Sequence, residues 1–235
     1  MIKAWSMSRL EVYESCPYRA KLQYIDRIPE APRTISDIEH PLVRGLRVHK
    51  LAEDFVTKAI EFPEELCHFK DGFAAQRHAF VTAPNTCFVE QEWAITETWK
   101  TTGWFSEDAW ARLKLDYAQV KGDEMDIVDY KTGKKYLLKH IPQGQFYGLI
   151  SSVRFPDVKT FRIQFWYLDT GEVSEHVYSK LQLQVLKDSF DTRGRTMTTA
   201  TDFPPRSSAY ACRFCPYGEG KEGNSYCQYR YSNTN

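Results

Sequence analysis

Residues 111–134, ARLKLDYAQVKGDEMDIVDYKTGK, constrain the fold more than any other stretch of the chain. Alternating residues on either side of Gly122-Asp123 predict two strands joined by a two-residue turn, because that dipeptide supplies the backbone such a turn demands. With those two residues in the turn, Lys121 faces Glu124 and, counting back, Asp116 faces Asp129. Side chains alternate along a strand, so Lys131 shares a face with Asp129. Like charges set opposite each other destabilise a sheet. Two opposed carboxylates beside a lysine therefore point to a divalent cation, and hard oxygen donors suit magnesium or manganese.

The surrounding pattern predicts a mixed α/β fold. Residues 5–30 read as two short helices with Cys16 at the joint, the first opened by a capping box at Ser8-Arg-Leu-Glu11. Residues 29–41 read as a proline-rich loop, and Pro41 begins a helix to about Ile60 that sets Gly45 and His49 on one face. A further helix covers about Gly72 to Val81, and Phe88 to Ile95 is a strand whose Glu90 and Glu92 read first as a solvated acidic face and second as support near the metal. After the hairpin, Ile141 to Val153 is a helix with Gln143 and Tyr147 on one face, followed by strands at Phe161–Leu168 and Glu172–Tyr178 and a helix from Lys180 to about Thr199. A central sheet of four or five strands, flanked by helices, follows.

The formal net charge over 235 residues is zero, which excludes a bulk pull on polyanions and leaves a local patch as the only electrostatic route to nucleic acid. No run of eighteen apolar residues occurs, so no membrane span is predicted. The N-terminal residues carry no secretory h-region, which predicts a cytoplasmic protein. In a reducing compartment the six cysteines are thiols or metal ligands rather than a disulfide scaffold.

Gly45-x-x-x-His49, Asp116, Ile127-Val-Asp-Tyr-Lys-Thr-Gly133-Lys134 and Gln143-x-x-x-Tyr147 follow one another in an order that resembles the PD-(D/E)XK nuclease superfamily, specifically its RecB-like branch. The resemblance implies a restriction-endonuclease-like core. It implies metal ligation by His49, Asp116 and Asp129, catalysis by Lys131, and support from Gln143 and Tyr147; the Tyr130 carbonyl, between Asp129 and Lys131, is placed to complete the metal's oxygen sphere. The glycine common just before the first aspartate is missing from Arg112-Leu-Lys-Leu, and Gln145 competes with Gln143 for the place facing the site.

Several members of that branch hold an iron–sulfur cluster on one cysteine before the core and three after it. By the same resemblance Cys16, Cys212, Cys215 and Cys227 would bind a [4Fe–4S] cluster, ahead of zinc, joining N-terminal helices to the Cys-rich tail. The eleven residues between Cys215 and Cys227 exceed the family's usual spacing. The chain then reads as one domain, with a helical part at 1–40, a nuclease core at 41–200 and the tail at 201–235.

The acid-free run from Tyr130 to Pro156 contains Lys131, Lys134, Lys135, Lys139 and Arg154; such a run is ordinarily a solvated face, but its place just after the Asp129–Lys131 strand makes it a candidate to meet DNA phosphates. Of Trp93, Trp99, Trp104 and Trp110, most belong to the core, and one or two are candidates to stack on bases. The expected activity is a magnesium- or manganese-dependent deoxyribonuclease working from DNA ends, with single strands preferred, of the phage or CRISPR-associated type. The competing reading is a non-catalytic DNA-end-binding subunit that keeps the fold.

Overall fold

The computed structural model describes residues 1–30, 41–133, 135–213, 215–218 and 226–229; Lys134 and the expected loop at 31–40 lie outside them. The chain divides into two compact units, one formed by 35–188 and the other by 1–34 with 189–235.

The larger unit is built on a six-stranded mixed sheet in the order β2-β1-β3-β4-β5-β6. The strands are β1 (Cys87–Ile95), β2 (Thr101–Thr102), β3 (Ala111–Lys121), β4 (Glu124–Lys131), β5 (Thr160–Tyr167) and β6 (Glu172–Ser179). All neighbours are antiparallel except β4 and β5, which run parallel. That parallel pair needs a crossover, which α5 (Leu137–Arg154) supplies. The extra strand beyond the expected five is the short β2, in the polar connection between β1 and β3.

One sheet face is covered by α3 (Pro41–Thr57) and α4 (Lys70–Thr82). Val48, Ala52 and Phe55 of α3 and Phe73 of α4 join Tyr117, Val128, Tyr130 and Trp166 in one buried cluster. The other face takes α5, whose approach depends on two glycines a turn apart. A Cβ at Gly144 would lie 3.2 Å from Ile163, and one at Gly148 would lie 3.0 Å from Leu183. This close seating brings Gln143 and Tyr147 to the sheet. Pro142 sits inside α5 rather than ahead of it, as its sixth residue, where it forfeits one bond of the helix.

The Gly122-Asp123 turn and its register are as the pattern predicts: five pairs run from Lys121↔Glu124 to Tyr117↔Val128. Gly122 has φ +62, the left-handed backbone that turn requires. The ladder stops one step short of Asp116 and Asp129.

In the other unit, α1 (Met7–Ser15) and α2 (Pro17–Ala20) meet at Cys16, and a π-helical turn follows at Lys21–Ile25. The cap of α1 is Ser6, not Ser8: its hydroxyl accepts from the Arg9 amide, which displaces the expected capping box by two residues. The later residues of α6 (Lys180–Thr198) and the short α7 (Ala209–Arg213) belong to this unit. Glu14 receives both Arg193 Nε and Nη2, at 2.7 and 2.9 Å, and Arg206 Nη1 donates to the Glu14 carbonyl at 2.6 Å. Among the described residues, no helix is long and apolar enough to cross a membrane.

Candidate active site

Three strands contribute to the floor of an open cleft, and its walls come from α3 and α5. Continuing the two registers places Glu90 of β1, Asp116 of β3 and Asp129 of β4 in one row, although neither the Glu90–Asp116 nor the Asp116–Asp129 pair makes ladder bonds. Glu90 has φ +49, a left-handed backbone that costs a non-glycine residue roughly 1–2 kcal/mol. At Asp116 the side chain replaces the missing ladder: Oδ2 accepts from the Tyr130 amide at 2.7 Å. Its Oδ1 lies 3.1 Å from His49 Nδ1.

On the far side of that row, Asp129 is gripped by α5. Tyr147 donates to Asp129 Oδ1 at 2.7 Å, and Gln143 Nε2 donates to the same oxygen at 3.3 Å. Lys131 Nζ donates to Gln143 Oε1 at 3.0 Å and stands 2.7 Å from Asp129 Oδ2. The latter is a charge contact without the alignment of a directed hydrogen bond, so Oδ2 keeps lone pairs available. The Lys131 ammonium also lies 5.5 Å from the centre of the Phe165 ring, a favourable cation–π contact. Gln143, not Gln145, faces the site; Gln145 bonds Tyr178 instead.

The electrostatics are those of a site short of positive charge. Burial, and then the Asp129 charge, raise the Asp116 carboxyl above its ordinary value. Burial works against charge on His49, but the hydrogen bond and charge of Asp116 outweigh it and leave the imidazole pKa raised. Burial likewise pushes the Tyr147 phenol well up, so it stays a proton donor to Asp129. A divalent cation would reverse the pressure on the carboxylates.

The donors fit such a cation. His49, Glu90 and Asp116 offer ligand atoms within 4.8 Å of one another, the one group of three or more of this kind among the described residues. Glu90 Oε1 is buried with no hydrogen-bond partner, while a carboxylate oxygen of Glu90 lies 2.9 Å from Lys114 Nζ. From the sequence, Glu90 reads first as part of a solvated face and only second as support for a metal. The signal that would have promoted it is the Phe88–Ile95 strand pairing with the Asp116 strand, which no local pattern encodes. Asp129 lines the same cleft but is not in that tight group; its Oδ1 is held by Tyr147 of α5, and its Oδ2 lies against the Lys131 ammonium.

Gly45 also lines the cleft; a Cβ there would meet Thr132 Oγ1 at 3.4 Å, so α3 and the segment after β4 are in contact. The missing glycine leaves β3 intact: Leu113 and Leu115 are both buried, and their pairing with β1 is regular. Tyr130 turns its ring into the α3–α4 core, where its hydroxyl donates to Gln76 at 2.6 Å.

The basic strip is only partly visible. Lys135 lies 3.4 Å from Glu172 and near the Tyr167 ring, Lys134 falls outside the described residues, and so does the side chain of Lys139. Trp93, Trp99 and Trp110 are buried, and Trp104, half-buried, lies under the Arg112 guanidinium.

In the smaller unit, Cys16, Cys212, Cys215 and Cys227 line one pocket. No disulfide forms among the described residues. Backbone amides point at three of the sulfurs: Arg206 N donates to Cys16 at 3.4 Å, and the amides of Tyr217 and Tyr229 serve Cys215 and Cys227. Burial raises the thiol pKa of both Cys215 and Cys227. Cys67 is exposed and Cys87 is buried beside Tyr117, and neither lines this pocket.

A profile of the PD-(D/E)XK nuclease superfamily matches residues 4–219. The chain belongs to that superfamily. Among solved structures it is similar to SSO0001, at 11% identity over 98% of this chain and 88% of that one, with a TM-score of 0.46. It is also similar to a candidate exonuclease from Eubacterium rectale, at 14% identity over 87% of this chain and 84% of that one, with a TM-score of 0.49. A search of curated proteins finds no match.

Proposed function

We propose that this chain is a metal-dependent DNA exonuclease of the RecB-like branch, hydrolysing phosphodiester bonds from the ends of single strands in DNA recombination, repair or phage DNA metabolism. One observation carries the reading: Asp116, Asp129, Lys131, Gln143, Tyr147 and His49, named from four separated motifs, all line one open cleft. A binding module has no need of a buried carboxylate row that raises its own pKa.

Asp116, Asp129, His49 and the Tyr130 carbonyl, with Glu90 beside them, would hold magnesium or manganese. Such an ion supplies charge neutralisation at the phosphate and a water acidic enough to attack it. The protein's own groups do the positioning. Tyr147 and Gln143 fix Asp129, the Tyr130 amide and His49 fix Asp116, and Lys131 stands at the cleft ready to orient the water or meet charge developing on the phosphate. Lys134, Lys135 and Lys139 would hold the strand by its phosphates.

The four thiols would hold a [4Fe–4S] cluster. Amide hydrogen bonds to sulfur suit thiolates bound to a cluster. One cysteine before the core and three after it favour a cluster over zinc, by the same resemblance to the RecB-like branch. The test of the activity is incubation of end-labelled linear and circular DNA, single- and double-stranded, with magnesium or manganese. Release of nucleotides from linear single strands, with circles left intact, is expected. Protein that cleaves nothing with either metal would end the enzymatic reading in favour of a DNA-end-binding subunit.

A further inference from the structure

The turn between β5 and β6 lies outside the residues named so far, yet one carboxylate in it reaches two elements that carry them. Asp169 Oδ2 accepts from the Gly133 amide at 2.7 Å. The same carboxylate takes a two-pronged pair from Arg44, Nη1 to Oδ2 at 3.0 Å and Nη2 to Oδ1 at 2.5 Å. Arg44 stands on α3 ahead of His49, and Gly133 is two residues beyond Lys131. Helix and segment already touch between Gly45 and Thr132.

Turn chemistry does not account for this arrangement. An aspartate in a turn ordinarily bonds the backbone just after it. Here the amides of Thr170 and Gly171 both go to the Tyr167 carbonyl, at 3.1 and 2.9 Å, which leaves the carboxylate for other work. Gly133 has φ +93, a backbone that other residues rarely adopt, and its amide is spent on Asp169. The pair is part-exposed, with side-chain exposures of 35% for Arg44 and 28% for Asp169. Ion pairs that exposed contribute little stability, whereas a two-pronged arginine–carboxylate pair fixes geometry.

We propose that Asp169 is a positioning residue of the active site, bridging Arg44 and the Gly133 amide so that α3 and the end of β4 hold His49 and Lys131 at a fixed spacing. The proposal rests on the nuclease reading above. Asp169 touches no reacting group; it acts through the backbone of the Lys131–Gly133 segment and through α3.

The test uses the full chain and the variants Asp169→Asn, Asp169→Glu, Arg44→Ala and the double variant Arg44→Ala with Asp169→Asn. Four quantities are read: manganese affinity by calorimetry, single-turnover cleavage at saturating manganese, exchange of the Gly133 amide, and melting temperature. In Asp169→Asn, manganese binds about tenfold more weakly and cleavage slows about tenfold or more, as small misplacements in a site do. The Gly133 amide exchanges faster, and the melting temperature stays near wild type. Asp169→Glu recovers part of each loss, and the double variant is no worse than Asp169→Asn, because both changes break one network. Wild-type manganese affinity and cleavage in Asp169→Asn, with the Gly133 amide exposed, would overturn the proposal. So would losses that follow the melting temperature alone. A wild-type protein that neither binds manganese nor cleaves DNA would instead remove the nuclease reading, a result distinguishable from failure of the Asp169 variants alone.

Discussion

In the cleft, each candidate ligand is held by a side chain or amide on a neighbouring element: Asp116 by Tyr130 and His49, Asp129 by Tyr147 and Gln143. Around Cys16, orientation comes from single backbone amides, and the four cysteines lie near opposite ends of the chain. The first arrangement is set by a sheet and two packed helices. The second is set by chain ends that the bound group itself would tie together. Only the first site is built to survive an empty state. The carboxylate row should keep its geometry without metal, while the thiol pocket should depend on its occupant for order, since binding free energy at such a site is also folding free energy.

The largest expected effect tests the first half of that contrast. Asp129→Ala should lower cleavage by at least about a thousandfold, the upper end of what losing one preorganised group costs. Binding of single-stranded DNA at low salt should change little. The metal-free variant should melt no lower than wild type, because Asp116 loses the charge that, with burial, holds its carboxyl up. Active sites commonly carry such a cost. Cleavage near the wild-type rate would dissolve the proposed centre.

Next comes the thiol pocket. Protein purified without air should be brown and carry iron, and Cys212→Ser should lose both. The same variant should admit protease to segments 1–34 and 189–235, on the scale of several kcal/mol that a structural metal site contributes. Wild-type protein that is colourless, with one zinc per chain, would replace the cluster with zinc. Protein holding neither would remove the contrast with the cleft altogether.

How much of this was legible beforehand follows the range of each interaction. The hairpin register, the Cys16 joint and the α5 face with Gln143 and Tyr147 are local, and pattern recovers them because turn chemistry and helical period are local physics. Glu90 was legible only as a second reading, support near the metal. Its position depends on β1 pairing with β3 and on a positive φ inside a strand, neither of which its neighbours announce. The capping residue of α1 was misplaced because Ser6 and Ser8 are both competent, and which hydroxyl caps depends on where the first turn begins. The seating of α5 by Gly144 and Gly148 was in plain sight as a pair four apart. It could not be told from ordinary helical glycines without Ile163 and Leu183 opposite.

A smaller effect separates the two regions by packing. A Cβ at Gly72 would collide with the Trp166 ring, which is itself stacked on Phe69 at 4.8 Å. Gly72→Ala should therefore cost about 1–3 kcal/mol, the usual range for an overpacked core, read as a lower urea midpoint. At Gly218, near Cys212 and Cys215, the nearest atom to an added Cβ is 3.4 Å away, an ordinary contact. Gly218→Ala should shift the midpoint by less than about 0.5 kcal/mol, as substitutions without a steric conflict do. Equal costs at the two positions would mean that the thiol pocket is packed as tightly as the sheet, and would weaken the claim that it relies on its occupant.

The finest probe is acid. The Arg44 guanidinium beside Asp169, helped by the Gly133 amide, holds that carboxyl below its ordinary value of 3.8. A carboxyl with a depressed folded-state pKa binds fewer protons in the folded than in the unfolded chain at pH values between the two. Its stabilising contribution is complete above the unfolded value and is lost as pH falls through the folded one. Whatever gap in melting temperature separates wild type from Asp169→Asn at neutral pH should therefore hold down to about pH 4, by the ordinary carboxyl range, and close below it. The asparagine amide of the variant has no proton to take up in this range, so only the wild type should bend. A gap that stays constant to the lowest pH at which the protein folds would mean that Asp169 contributes through hydrogen-bond shape alone, and that its charge plays no part in joining α3 to the end of β4.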